Sequence, residues 1–93
     1  MITADEAIQR FAAAIARVDP RLELDRGAVR YVREPYPGVE FGLRLGGAGA
    51  LLFMPEADLV ADDWLDRLVR RFEAARNYLA KFPQAATRPG GRS

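Results

Sequence analysis

The chain predicts an α+β fold of order α-β-β-β-α. It is a two-layer sandwich in which a three-stranded antiparallel meander carries both helices on one face. Three observations predict it. Apolar residues recur at helical spacing near each end of the chain. The stretch between them changes to a period of two. Each helix has a single apolar stripe and the central strand a single apolar face, so both stripes are buried most economically on that one face.

The first helix, residues 4–18, is announced by Thr3-Ala4-Asp5-Glu6, a capping box in which Thr3 accepts from the Glu6 amide and Glu6 reaches back. Ile8, Phe11, Ala12, Ile15 and Val18 form its apolar stripe, and Pro20 ends it. "RLELDRG" reads as a short extended piece or turn. "AVRYVRE", residues 28–34, has the β-branched and aromatic content of a strand. Residues 36–39, Tyr-Pro-Gly-Val, fit a type II turn with Gly38 at its third position. "VEFGLRL" alternates: Val39, Phe41, Leu43 and Leu45 share one face, and Glu40, Gly42 and Arg44 the other. After a "GGAG" loop, "ALLFM" supplies the third strand. If Leu45 pairs with Ala50 across that loop, Leu43 faces Leu52 and Phe41 faces Met54. From about Asp62 a last helix carries Leu65, Leu68, Val69, Phe72, Ala75 and Leu79 on one stripe, and Pro83 ends it. Residues 1–82 therefore form one domain, and residues 83–93 read as a disordered tail.

Composition excludes more than it assigns. The 93 residues carry a net charge of +1, so no overall field calls for nucleic acid or an anionic membrane. Cys and His are both absent. That removes disulfides, Cys/His zinc sites, Ser-His and Cys-His nucleophile pairs, and an imidazole base. An enzyme would have to rely on carboxylates, Arg, Lys81, Tyr31, Tyr36 or Tyr78, and no catalytic constellation of these is visible. The expectation is a non-enzymatic protein with no cofactor, no metal and no small-molecule ligand. The polar, acidic start "MITADEAIQR" and the lack of a long apolar run predict no signal peptide, no membrane partner and a cytoplasmic location.

Two short motifs invite functional readings. "GGAG" leads from strand to strand rather than from strand to helix, so it is read as a hairpin loop and not a phosphate cradle. In "DDWLD", Asp62, Asp63 and Asp66 match the Asp-Asp-x-x-Asp pattern that holds magnesium-bound diphosphate in prenyl-chain synthases, but that pattern needs a second acidic motif and an all-helical cavity. The acids are read instead as complements to the helix dipole, with Asp63–Arg67 and Asp66–Arg70 paired at i,i+4. Trp64 is read as a lid on the edge of the core. The element order is similar to that of double-stranded RNA-binding domains. Those domains place lysines where this chain has Asp62, Asp63 and Asp66, which argues against RNA.

"ALLFMPEADLVADDWLDRLVRRFEAARNYLAKFP", following a short meander, resembles small uncharacterised proteins of GC-rich proteobacteria grouped as domains of unknown function. No functional residue is carried over from them. A second likeness is to the small dimeric α+β chaperones of secreted effectors, whose extra strands, extra helix and usual acidity this chain lacks.

One feature is left over. With Phe41 and Leu43 facing the helices, Leu51 and Phe53 stand on the opposite, open face of the sheet, among Arg30, Glu40 and Arg44. Either segments 22–24 and 59–60 (Leu22, Leu24, Leu59 and Val60) fold over that face, or it is an interface. The leading expectation is a protein-interaction or accessory domain that uses the open face for a partner or for self-association as a homodimer. The alternative is a nucleic-acid binder using Arg67, Arg70 and Arg71 with the basic tail residues Arg88 and Arg92.

Overall fold

Thr3 caps the first helix as its spacing dictates. Its hydroxyl accepts from the Glu6 amide at 3.1 Å, and the Glu6 carboxylate accepts from the Thr3 amide at 3.0 Å. These bonds also hold the Glu6 carboxyl below its ordinary range. The computed structural model describes residues 2–81; within them the expected α-β-β-β-α order holds, with one short helix added. The elements are α1 (Ala4–Val18), β1 (Leu22–Val32), β2 (Gly38–Leu45), β3 (Ala48–Pro55), α2 (Glu56–Leu59) and α3 (Trp64–Ala80). The three strands form one antiparallel sheet in the order β1-β2-β3. α1 lies over β1 and against α3, and α3 covers β2 and β3. The tail expected over residues 83–93 lies outside the described residues.

Both helices pack on the face that carries Val39, Phe41, Leu43 and Leu45. Phe11, Phe41 and Phe72 join α1, β2 and α3 at its centre, with ring centroids 4.5, 5.6 and 5.7 Å apart. Leu68 and Phe72 are buried as expected. The α1 stripe is turned slightly from its expected direction: Ala7, Phe11, Ala14 and Ile15 are buried, while Ile8, Ala12 and Val18 are half-buried. Alanine at positions 7 and 14 lets the helix backbone approach its neighbours closely, and this outweighs the larger side chain of Ile8.

Four local expectations are corrected. β1 begins at Leu22 rather than at residue 28, because "LELD" pairs with β2 from Leu22↔Leu45 to Asp25↔Gly42. The ladder then shifts, and it resumes at Arg30↔Glu40. At the break, Asp25 Oδ1 accepts from the Gly27 amide at 3.2 Å. The turn signal was real, but it marks a bulge-like irregularity inside a strand, where residues 26–29 stand against Phe41 alone, rather than the end of one.

The "GGAG" loop is shorter than expected. Gly46 and Gly47 alone make the turn, with Gly46 at φ +60°, as a two-residue hairpin with glycine first requires. Ala48 therefore pairs with Leu45, and the register moves by two: Leu43 faces Ala50 and Phe41 faces Leu52. A shift of two leaves every side chain on its predicted face.

Gly38 is not the left-handed residue of a type II turn, since Gly46 is the one glycine with positive φ among the described residues. It belongs to β2 and pairs with Val32 and Pro55. A Cβ there would stand 2.4 Å from Phe53 Cζ and 2.5 Å from the Met54 carbonyl oxygen, so close approach is what requires glycine.

The last helix starts at Trp64, and Asp63 occupies its N-cap position without a capping hydrogen bond. Residues 56–59 close into the short α2 instead, which buries Leu59 under the helical layer.

Candidate functional site

The antiparallel ladder decides which side chains share the open face. Glu23 and Asp25 from β1 stand beside Arg44 and Gly42 from β2, which stand beside Gly49 and Leu51 from β3. Beyond the bulge the row is Arg30, Glu40 and Phe53. The structure thus gathers all five residues expected there: Leu51, Phe53, Arg44, Glu40 and Arg30. It does not cover them with the segments offered as a lid. Leu22 is buried in the helix-side core, Leu24 packs against that core opposite Leu43, Leu59 lies in the same core, and Val60 is 54% exposed.

The face is charged at its centre and apolar at one margin. Arg30 pairs with Glu40 at 2.7 Å, and Arg44 with Glu23 at 3.2 Å. These exposed cross-strand pairs contribute little stability, but they neutralise one another. The apolar groups both lie on β3, the last strand of the sheet. Leu51 is 80% exposed, while Phe53 is half-buried because its ring reaches over Gly38.

Among the described residues β3 is an edge strand, and the closing turn fixes which of its backbone groups point outward. In a two-residue hairpin the flanking pair, here Leu45 and Ala48, exchanges both hydrogen bonds. Alternation then aims the amides of Ala48, Ala50, Leu52 and Met54 at β2, and those of Gly49, Leu51 and Phe53 outward. The Glu56 amide donates to the Pro37 carbonyl at 3.0 Å, which is where that alternation places the next bonded pair. No ionisable residue occurs between Ala48 and Pro55. On the helix side of this edge a groove of about 500 Å³ runs between β3 and α3, lined by Ala50, Leu52, Met54, Phe72, Ala75 and Tyr78 among others. β1, the opposite edge, carries a bulge together with Glu23, Asp25 and Arg26.

The basic face of α3 is mostly committed. Arg67 pairs with Asp58 at 3.1 Å and with Asp63 at 2.7 Å, and Arg71 pairs with Asp58 at 2.7 Å. The bonds that Arg67 donates to Asp58 and then to Asp63 raise its pKa further. Arg70 has no carboxylate within ion-pair distance among the described residues, so the pair expected with Asp66 is not formed. Sequence reasoning missed Asp58, which gathers two of the three arginines from outside the helix and shows no helical spacing to them. Arg88 and Arg92 lie outside the described residues.

The other motifs fall into structural roles. Asp63 holds Arg67, and Asp62 and Asp66 are exposed. Among the described residues no group of three or more carboxylates gathers at metal-binding geometry. Trp64 is half-buried against the core, with the Arg10 guanidinium 4.8 Å from its ring centroid. Arg10 also donates to the Leu59 carbonyl, tying α1 to α2. Glu56 accepts from the Ile2 amide at 2.8 Å and from the Tyr31 hydroxyl at 3.1 Å, binding the N-terminal segment to β1. Tyr31 is pushed above its ordinary pKa of 10.0 by lost solvation and then by the Glu56 bond. Among the described residues no helix is long and apolar enough to cross a membrane. Comparison of the chain with protein-family models, curated proteins and solved structures found no match.

Proposed function

We propose that this protein is a non-enzymatic interaction or accessory domain whose binding surface is the β3 margin of the sheet. The observation that carries the reading is Leu51, a large apolar side chain 80% exposed on an uncharged edge strand beside an apolar groove. An isolated exposed leucine is ordinary. One that coincides with an open backbone ladder and a groove is what strand-addition recognition uses, with main-chain bonds for affinity and side-chain pockets for selectivity. Nucleic-acid binding through α3 has less support, because Arg67 and Arg71 are neutralised by Asp58 and Asp63 and offer phosphate little net charge.

The test is site-specific photocrosslinking in the native cell extract. A benzophenone side chain replaces Leu51 in one variant and the exposed Glu73 of α3 in a control. Discrete protein adducts at 51 and none at 73 are expected. Equal labelling at both positions, or none at 51, refutes the reading.

A further inference from the structure

The geometry points to a second copy of this chain as the occupant of the β3 edge, joined strand to strand in antiparallel fashion about a two-fold axis to make one continuous six-stranded sheet. This rests on the interaction reading above and gives it a partner and a register.

An open edge of this kind is self-complementary. Two copies of β3 related by a two-fold axis run antiparallel, and the outward amides and carbonyls of Gly49, Leu51 and Phe53 then face identical groups. The register that centres the axis on Leu51 pairs Leu51 with its own copy, and pairs Gly49 of each chain with Phe53 of the other. Six main-chain bonds then cross the seam. Gly49 has no side chain, so Phe53 of the second copy, whose ring lies over its own Gly38, meets no side chain opposite it. Side-chain size therefore matches across the seam: large over absent, and leucine against leucine.

Charge and area agree with this partner. β3 contributes no ionisable group, and Arg71 at the groove is already paired with Asp58, so the two-fold axis brings no uncompensated like charges together. Eight strand residues span about 27 Å, and a sheet with one helical layer is about 20 Å deep. The wall each copy presents is thus about 500 Å², and the pair buries about 1,000 Å², the lower limit for a specific dimer. The expected product is a weak, concentration-dependent dimer. The β1 edge offers no equivalent, because its bulge and charges interrupt the ladder.

The experiment measures mass by light scattering on the full chain, from low micromolar to millimolar concentration, for wild type, Leu51→Pro and Leu51→Lys. Leu51→Pro deletes an outward amide and leaves the β2–β3 ladder intact, which separates edge pairing from association through the open face. It should weaken the dimer about a hundredfold, since two of the six cross-seam bonds are lost and the ring obstructs the seam. Leu51→Lys sets like charges together at the axis and should also give monomers, with an unchanged circular dichroism spectrum. Amide hydrogen exchange of the wild type reads the same seam without substitution: the amides of Gly49, Leu51 and Phe53 should gain protection with concentration and lose it on dilution. A wild type that is monomeric throughout overturns the inference, and adducts to other proteins at position 51 would then leave the interaction reading standing. A dimer that survives Leu51→Pro, or edge amides whose protection does not change with dilution, also overturns it. If Leu51→Pro fails to fold, Leu51→Lys and the exchange data decide.

Discussion

Replacing Gly38 with alanine tests the packing under the candidate site. The new methyl would stand 2.4 Å from Phe53 Cζ, 2.7 Å from Phe53 Cε1 and 2.5 Å from the Met54 carbonyl oxygen. The ring can swing outward. The carbonyl cannot move without disturbing the ladder between β2 and β3. Overpacking of this kind costs about 1–3 kcal/mol, and the reduced freedom of the unfolded chain returns about 0.4–1 kcal/mol. The expected net loss is about 1–2 kcal/mol, or a fall in Tm of about 5–15 °C for a domain of this size. Gly42→Ala is the control, because its methyl would meet side chains alone at its nearest contacts, the Asp25 Cβ at 3.1 Å and the Ala28 Cβ and Asp25 Oδ2 at 3.7 Å, with none under 3.0 Å. It should stay within about 1 kcal/mol of wild type. Urea titrations monitored by circular dichroism supply both values. Repeating Gly38→Ala in a Phe53→Leu background completes a double-mutant cycle with an expected coupling of at least about 0.5 kcal/mol. A Gly38→Ala variant as stable as wild type, or a cycle with no coupling, would show that Phe53 does not rest on Gly38.

Two further outcomes follow from the core and from the helix ends. Leu68 is fully buried beneath α3, so Leu68→Ala should cost about 2–5 kcal/mol; an unchanged urea midpoint would disprove the assigned stripe. Asp19, buried after α1, accepts from the Arg21 amide at 2.9 Å, from Arg21 Nη2 at 2.8 Å and from Arg76 at 3.4 Å. These bonds, those to Arg21 foremost, hold its carboxyl far below the ordinary value of 3.8. A depressed folded-state pKa stabilises the fold above the unfolded value and ceases to do so as the pH falls through the folded one. Asp19→Asn should therefore be less stable than wild type at neutral pH, with the gap closing as the solution is acidified below about pH 4. A gap of constant size from neutral pH to about pH 2 would contradict this linkage.

Local signals carried most of the fold. The α1 bounds follow from Thr3, Glu6 and the proline after Asp19, all of which act within a turn or two of chain. The errors arose where a local signal has two structural outcomes. Asp25-Arg26-Gly27 forms a turn-like contact whether a strand ends there or bulges there, and only the partner strand decides. "GGAG" permits a two- or a four-residue turn, and the choice falls on the shorter one that suits the twist of the hairpin. Because those alternatives differ by an even number of residues, the facing of Leu51 and Phe53 was legible although their partners were not. Gly38 was misread because a glycine that permits an unusual φ and a glycine that permits close approach look alike in a sequence.

The site itself was only partly legible, for a reason that bears on its proposed use. Double-sided apolarity in "ALLFM" marks a strand that fits neither a half-buried sheet nor a solvated edge. The sequence leaves open whether the surplus is covered from within, and the structure places Leu22, Leu24 and Leu59 on the helix side. The two edges of the sheet then differ in a way that stability alone does not require. β1 has a bulge, a glycine and several charges, the ordinary means by which an edge is kept from pairing. β3 has neither a bulge nor a charge along its eight residues, its glycine is Gly49, and its one proline stands at the last residue, Pro55. A monomer that protects one edge and leaves the other unbulged and uncharged carries a standing aggregation hazard, which a specific occupant would remove. Pairing with a second copy would close that edge with the two-fold symmetry of the seam and leave only the protected β1 edges at the margins of the six-stranded sheet.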